Sequence, residues 1–136
     1  MHARVEPFAG TWRFNPELSK MCTPAPQSWI QEIIAGPEEV TVREQIVRTD
    51  GSESVLRVQA RFDGTDYPVE GSPAVDTIAY VRTNQNAISG IGKKNGKIAF
   101  TETVLADPEQ QTLTLAFNYL LGERIVAQGV AVFQSA

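Results

Sequence analysis

Lys97-Ile98-Ala99-Phe100-Thr101-Glu102-Thr103-Val104-Leu105-Ala106, followed after Asp107-Pro108 by Thr112-Leu113-Thr114-Leu115-Ala116-Phe117-Asn118-Tyr119, is the stretch that decides the fold. At alternate positions the first run places Ile98, Phe100, Glu102 and Val104 on one face, and the second sets Leu113, Leu115, Phe117 and Tyr119 against Thr112, Thr114, Ala116 and Asn118. Side chains of a strand point alternately to its two faces, so both runs read as strands of an antiparallel sheet with one dry side. The same alternation opposes Leu56, Val58, Ala60 and Phe62 to Val55, Arg57, Gln59 and Arg61.

Turn residues recur outward from this hairpin at about strand length: Gly36-Pro37, Asp50-Gly51, Asp63-Gly64, Gly71-Ser72-Pro73, Asn84-Gln85-Asn86, Asn95-Gly96 and Gly122. The Val-, Ile-, Thr- and aromatic-rich runs between them predict strands near residues 9–15, 27–34, 39–48, 53–62, 76–82, 86–92, 97–106, 111–120 and 124–134. Consecutive strands with short connections pair as hairpins, and a sheet this wide leaves exposed edges unless it closes. The expected fold is therefore all-β, an antiparallel up-and-down meander closed into a barrel of about eight to ten strands, with a two-sheet sandwich as the competitor. Pro16-Glu17-Leu18-Ser19-Lys20-Met21 predicts a short helical turn, and Pro24-Ala25-Pro26 an extended return; together they are expected to plug one barrel end.

The 136 residues fit a single domain spanning 1–136, with a globular composition of 42% hydrophobic and 21% charged residues. No apolar run reaches the ~20 residues of a bilayer-crossing helix. Met1-His2-Ala3-Arg4-Val5-Glu6-Pro7 lacks the apolar core of a secretory leader, and Cys22 has no cysteine to pair with, so a cytoplasmic location is expected, unless a leader has been removed. His2 is the only histidine, which argues against a His/Cys metal site and a His-based triad. A net charge of −4 without a basic stripe argues against nucleic acid as a partner. Lys93-Lys94-Asn95-Gly96-Lys97 reads as a solvated hairpin tip, Asp63-Gly64-Thr65-Asp66 as a turn and not a calcium loop, and Gly90-Ile91-Gly92 as strand and not a phosphate cradle. No nucleophile elbow or dinucleotide-binding pattern is present, so no cofactor is expected.

Two patterns carry a resemblance. Gly10-Thr11-Trp12, opening the first strand before the helical turn, resembles the Gly-x-Trp signature of lipocalins and the wider calycin group. Gly10-Thr11-Trp12-Arg13-Phe14-Asn15 with Ser19-Lys20, then Phe62-Asp63-Gly64-Thr65-Asp66-Tyr67-Pro68-Val69-Glu70-Gly71-Ser72-Pro73 and Asp76, is similar to small bacterial lipocalin-like proteins. The resemblance implies a barrel with a cavity, Trp12 lying across its floor and Arg124 as the guanidinium that stacks on it.

If the apolar faces point inward, so do Glu102 and Glu44, the latter sharing a face with Val40, Val42 and Ile46, and Tyr119 with them. Tyr80 shares a face with Ile78. Carboxylates and phenols in a dry cavity form an acid/base set, because burial lifts carboxyl pKa values toward neutrality. The opposing reading pairs the carboxylates with Arg43, Arg57, Arg61 or Arg82, and leaves Tyr119 as a core residue. Trp29, Tyr67, Tyr80, Phe100 and Phe117 are the expected ligand contacts, Tyr67 through a loop (67–73) that is either a pocket rim or a stiff crossover. Three functions follow: a barrel binding a small, mainly apolar organic molecule; a cofactor-independent isomerase or cyclase using Glu102, Glu44 and Tyr119; or a filled structural barrel.

Overall fold

The computed structural model describes residues 6–22 and 24–136; His2, the preceding and following residues up to Val5, and Thr23 lie outside the described residues, and with them most of the stretch read for a leader. The strands are β1 (Gly10–Phe14), β2 (Lys20–Met21), β3 (Ser28–Ala35), β4 (Glu39–Val47), β5 (Glu53–Arg61), β6 (Tyr67–Glu70), β7 (Thr77–Asn84), β8 (Ala87–Lys94), β9 (Lys97–Asp107), β10 (Thr112–Leu121) and β11 (Arg124–Ser135). Each strand from β3 onward pairs with the next. β1 then closes the cylinder, because Trp12 is in register with Gln31 of β3 on one side and Ser135 of β11 on the other. The result is a closed antiparallel barrel of ten strands, with β2 added to β11 beside β1. Hydrogen bonding runs unbroken around the ring, which excludes the two-sheet sandwich and leaves no long open edge.

Local chemistry sets the connections. Asn95 and Gly96 hold φ of 53° and 78°, the paired positive values of a two-residue hairpin turn between β8 and β9. Gly71 ends β6 with φ of 85° against the Val55 carbonyl, where a side chain would collide with backbone.

Two strands escape the alternation pattern. β6 lies where Pro68 argues against a strand, since proline cannot donate to a ladder. It survives because it is short: Arg57 and Val58 pair with Glu70 and Val69 on one side, Ile78 and Thr77 with Tyr67 and Pro68 on the other. The stretch read as a loop is thus partly the staple between β5 and β7. β2 is two residues long, too short to carry a pattern.

The expected helical turn is a 3₁₀ turn over Pro16–Leu18, capped by the Asn15 side chain, which accepts from Glu17 N at 2.9 Å. It buries no residue and does not plug the barrel. Instead it carries the chain from β1 to β2 along β11, where Ser19 Oγ donates to Asn15 O and accepts from Val132 N. Only Met21, Pro24 and Pro26 reach the barrel opening.

Antiparallel order gives the barrel two unlike ends. The floor gathers the start of β1, the ends of β3 and β5 and the start of β4, with Phe8, Trp12, Ile33, Val40 and Ala60 buried there. The mouth gathers the start of β3, the end of β4, the residues before β7 and the hairpin end of β10.

Candidate functional site

The floor is a closed structural unit. Trp12 is buried, and its Nε1–H donates to Phe8 O at 3.0 Å, which pins the segment preceding β1 across the barrel end. The guanidinium at this end belongs to Arg82 and not to Arg124. Arg82 lies 5.1 Å from the centroid of the Phe8 ring and 5.6 Å from that of Phe62. It forms a two-pronged pair with Glu6 at 2.6 and 3.0 Å and donates to the carbonyls of Gly36 and Gln85. Arg124 pairs with Leu121 at the opposite end of β11 from Ser135, so strand direction alone keeps it from Trp12.

Above the floor the barrel is hollow. A cavity of about 390 Å³ opens at the mouth, lined by Trp29, Glu44, Tyr80, Phe100, Glu102, Phe117 and Tyr119 together with aliphatic side chains such as Ile46, Leu56 and Val58. A void of about 50 Å³ lies deeper, toward Phe8 and Gln31, and Glu44, Tyr80 and Glu102 face both spaces. With Leu56 and Leu115, which also line both, these three form the boundary between packed and empty interior.

Register explains the grouping. Glu102 of β9 faces Gly90 of β8 and Phe117 of β10; Gly90 in turn faces Tyr80 of β7, and Phe117 faces Gly129 of β11. One inward row thus reads Tyr80, Gly90, Glu102, Phe117, Gly129. A Cβ on Gly90 would stand 3.0 Å from both Glu102 Cγ and Tyr80 Cε1, and one on Gly129 would meet Phe117 Cζ at 2.9 Å. The missing side chains are the space into which the carboxylate and rings extend. Glu44 of β4 is opposite Gln31 and Leu56.

The aromatic groups form a continuous wall. Trp29 meets Phe117 edge-on at 6.5 Å, Phe117 stacks with Phe100 at 6.4 Å, and Tyr119 contacts Phe100 and Phe117 at 5.0 and 5.8 Å. The Trp29 Nε1–H donates to Glu44 Oε1. Both carboxylates are half-buried by surface, and protein surrounds them on all sides; the surface they expose looks into the cavity.

Their electrostatics follow from that position. Loss of water pushes Glu44 from 4.5 up to about 7, against the opposing pull of the Trp29 N–H. Glu102 rises to about 8, first by burial and second by the nearby negative charge of Glu44. Tyr119 is pushed up to about 12, and Tyr80 is likewise raised well above the ordinary phenol value, both mainly by burial. Among the described residues no Lys or Arg forms an ion pair with either carboxylate: Arg43 pairs with Glu32, Arg61 with Glu38 and Arg82 with Glu6. Among the described residues no internal salt bridge absorbs these acids.

Tyr67 is the expected contact that the fold removes from the cavity. Its ring packs against the core and its hydroxyl donates to Asp63 Oδ2 at 2.7 Å, while Val69, two residues on, faces the cavity. The rim is formed by Ser72, Ala74 and Val75. Arg48, which lines the cavity, and Gly90, which backs Glu102 and Tyr80, are groups that sequence reading missed. Arg48 continues the inward series Val42, Glu44, Ile46 by one more step, and its Nη2 donates to Ser54 Oγ at 2.8 Å. Gly90 and Gly92 share the inward parity of Ile88, a run in which the side chains vanish toward the mouth.

Comparison of the chain with protein-family models, with curated proteins and with solved structures gives no match. No helix among the described residues is long and apolar enough to cross a membrane.

Proposed function

We propose that this chain is a small-molecule carrier of the lipocalin-like type, holding a mainly apolar organic ligand inside the barrel. The observation that carries this reading is the unfilled half of the interior: a mouth-opening cavity of about 390 Å³, with an apolar and aromatic wall and a few inward polar groups. That is the usual form of a small-ligand pocket, whereas a barrel of purely structural role fills its centre with side chains. Gly10-Thr11-Trp12 at the start of β1, with Trp12 buried across the closed end, supports the lipocalin-like assignment.

Trp29 supplies the readout, since it lies in the cavity wall. Titration with a neutral apolar fluorophore such as Nile red should quench Trp29 emission saturably and give micromolar affinity, and Leu56→Trp, which fills the cavity from β5, should weaken binding by at least about tenfold. Unchanged probe affinity in a folded Leu56→Trp protein would refute an interior site.

One observation favours a second reading, a cofactor-independent isomerase or cyclase. Glu44 at about 7 and Glu102 at about 8 are a base and an acid poised near neutrality within one cavity, and Tyr119 stands in the same wall. Under this reading a bound carbon acid exchanges deuterium from solvent, and Glu44→Gln abolishes the exchange while leaving affinity in place.

A further inference from the structure

We propose that the ligand is an organic ammonium ion, an amine with an aromatic or aliphatic body, whose charged nitrogen sits between Glu44 and Glu102 and against the rings of Trp29, Phe117 and Tyr119. This rests on the carrier reading and names its ligand class.

Three features of the cavity converge on a cation. Two carboxylates stand on facing parts of one enclosed space, and no Lys or Arg among the described residues forms an ion pair with either. Ionised carboxylates removed from water demand a counter-charge. Glu44 already accepts from the Trp29 indole, but Glu102, lying against the bare backbone of Gly90, accepts no hydrogen bond from any described residue. The remaining acceptor positions of both acids therefore look into the cavity. The wall beside them is aromatic, with Trp29, Phe100, Phe117 and Tyr119 in mutual contact, and ring faces attract cations most strongly where water is excluded.

Arg48 is the only cationic side chain lining the cavity among the described residues, and it stands at the mouth, tied to Ser54. The polarity therefore runs from Arg48 at the mouth to the two acids at the base of the cavity. An amine enters with its nitrogen leading. An anionic amphiphile would instead leave its head at Arg48 and bury its tail against two carboxylates, which is the less favourable orientation.

Acid protonation competes with the cation. The groups facing Glu102 are Glu44 on β4, Tyr80 on β7, Tyr119 on β10 and Arg48 beyond β4; of these, only Glu44 shares its titration near neutrality. Ammonium affinity accordingly rises as pH rises through about 7 and 8, where the acids lose their protons, and binding near neutrality releases protons.

The test compares phenethylammonium with its neutral analogue phenethyl alcohol and with the anion hydrocinnamate, by calorimetry on the full chain. At about pH 8.5 phenethylammonium should bind about 10–100-fold tighter than the alcohol, the value of a charge-assisted hydrogen bond in a dry site. At about pH 5.5 the preference should shrink to less than about threefold, while the alcohol keeps its affinity. Glu102→Gln should remove most of the preference for the ammonium over the alcohol. If that variant does not fold, the pH series on the unmodified chain decides between the outcomes. Alcohol binding equal to or tighter than ammonium at the higher pH overturns the proposal and leaves the carrier reading standing. Preference for hydrocinnamate, lost in Arg48→Met, overturns it in favour of an anion held at the rim. Failure of all three probes and of the neutral fluorophore to bind overturns the carrier reading and this proposal with it.

Discussion

The two ends of this barrel are made from the same alternating strands and are filled differently. At the floor, Phe8, Trp12, Ile33, Val40 and Leu113 close on one another, the Trp12 N–H is satisfied by Phe8 O, and Arg82 covers the outside with four hydrogen bonds. At the mouth, glycines take inward positions on β8 and β11, two acids replace aliphatic residues, and a cavity of about 390 Å³ remains. Close packing is concentrated at the first end, and inward ionisable groups with open space at the second. Polar groups that lower stability are tolerated where the opposite end holds the fold together.

The largest effect expected from breaking this contrast is at the floor. Trp12→Ala removes a buried indole from a packed site and should destabilise by about 3–5 kcal/mol in denaturant titration, enough to lose much of the stability of a domain this size. A loss below about 1 kcal/mol would mean that the floor does not hold the barrel shut.

A smaller effect separates the two arginines. Arg82→Met leaves Glu6 without its partner at a site where the two side chains are only 11% and 19% exposed, and removes the cover over Phe8 and Phe62. We expect a cost of about 2–3 kcal/mol, below that of a fully buried pair because water still reaches Glu6. Arg124→Met, on an exposed residue at the mouth end, should change stability by less than about 0.5 kcal/mol. Thermal melts of the two variants side by side would reverse the assignment of the floor guanidinium if Arg124 proved the costlier.

The effect expected at the mouth has the opposite sign and depends on pH. Glu102 is held at about 8 in the folded chain and at 4.5 when free in water. Below 4.5 both states carry the proton and the group is neutral to folding. From there upward the unfolded chain sheds a proton that the folded chain keeps, so stability falls until about 8 and is then level. Glu102→Gln keeps the side-chain volume and cannot ionise. It should be more stable than the unmodified chain at about pH 9, with about 5 kcal/mol as the ceiling set by that shift, and equal to it at about pH 4. Equal melting temperatures at both pH values would show that Glu102 reaches bulk water, and would also weaken the case for a charged ligand beside it.

Much of the architecture was legible because strand alternation is a local property. The nine strands expected from the pattern are all present, and the inward direction of Glu44, Glu102 and Tyr119 follows from parity alone. β6 and β2 were not legible, since a proline in one and the brevity of the other erase the pattern on which such reading depends. Tyr67 shows a further limit. It is expected to reach a ligand from a loop, but it lies in β6, Asp63 accepts its hydroxyl, and it packs toward the core outside the cavity.

What the sequence determined by itself is therefore the class of fold, an antiparallel β meander, and which residues share each strand face, because both depend on neighbours one or two positions apart. The tertiary structure decided which end each residue occupies, which arginine covers the floor, and where the interior stays empty. Those outcomes depend on the register between strands distant in the chain. Register sets Gly90 between Tyr80 and Glu102, and Phe117 against Gly129, and it is this juxtaposition of large side chains with missing ones that leaves room in the barrel.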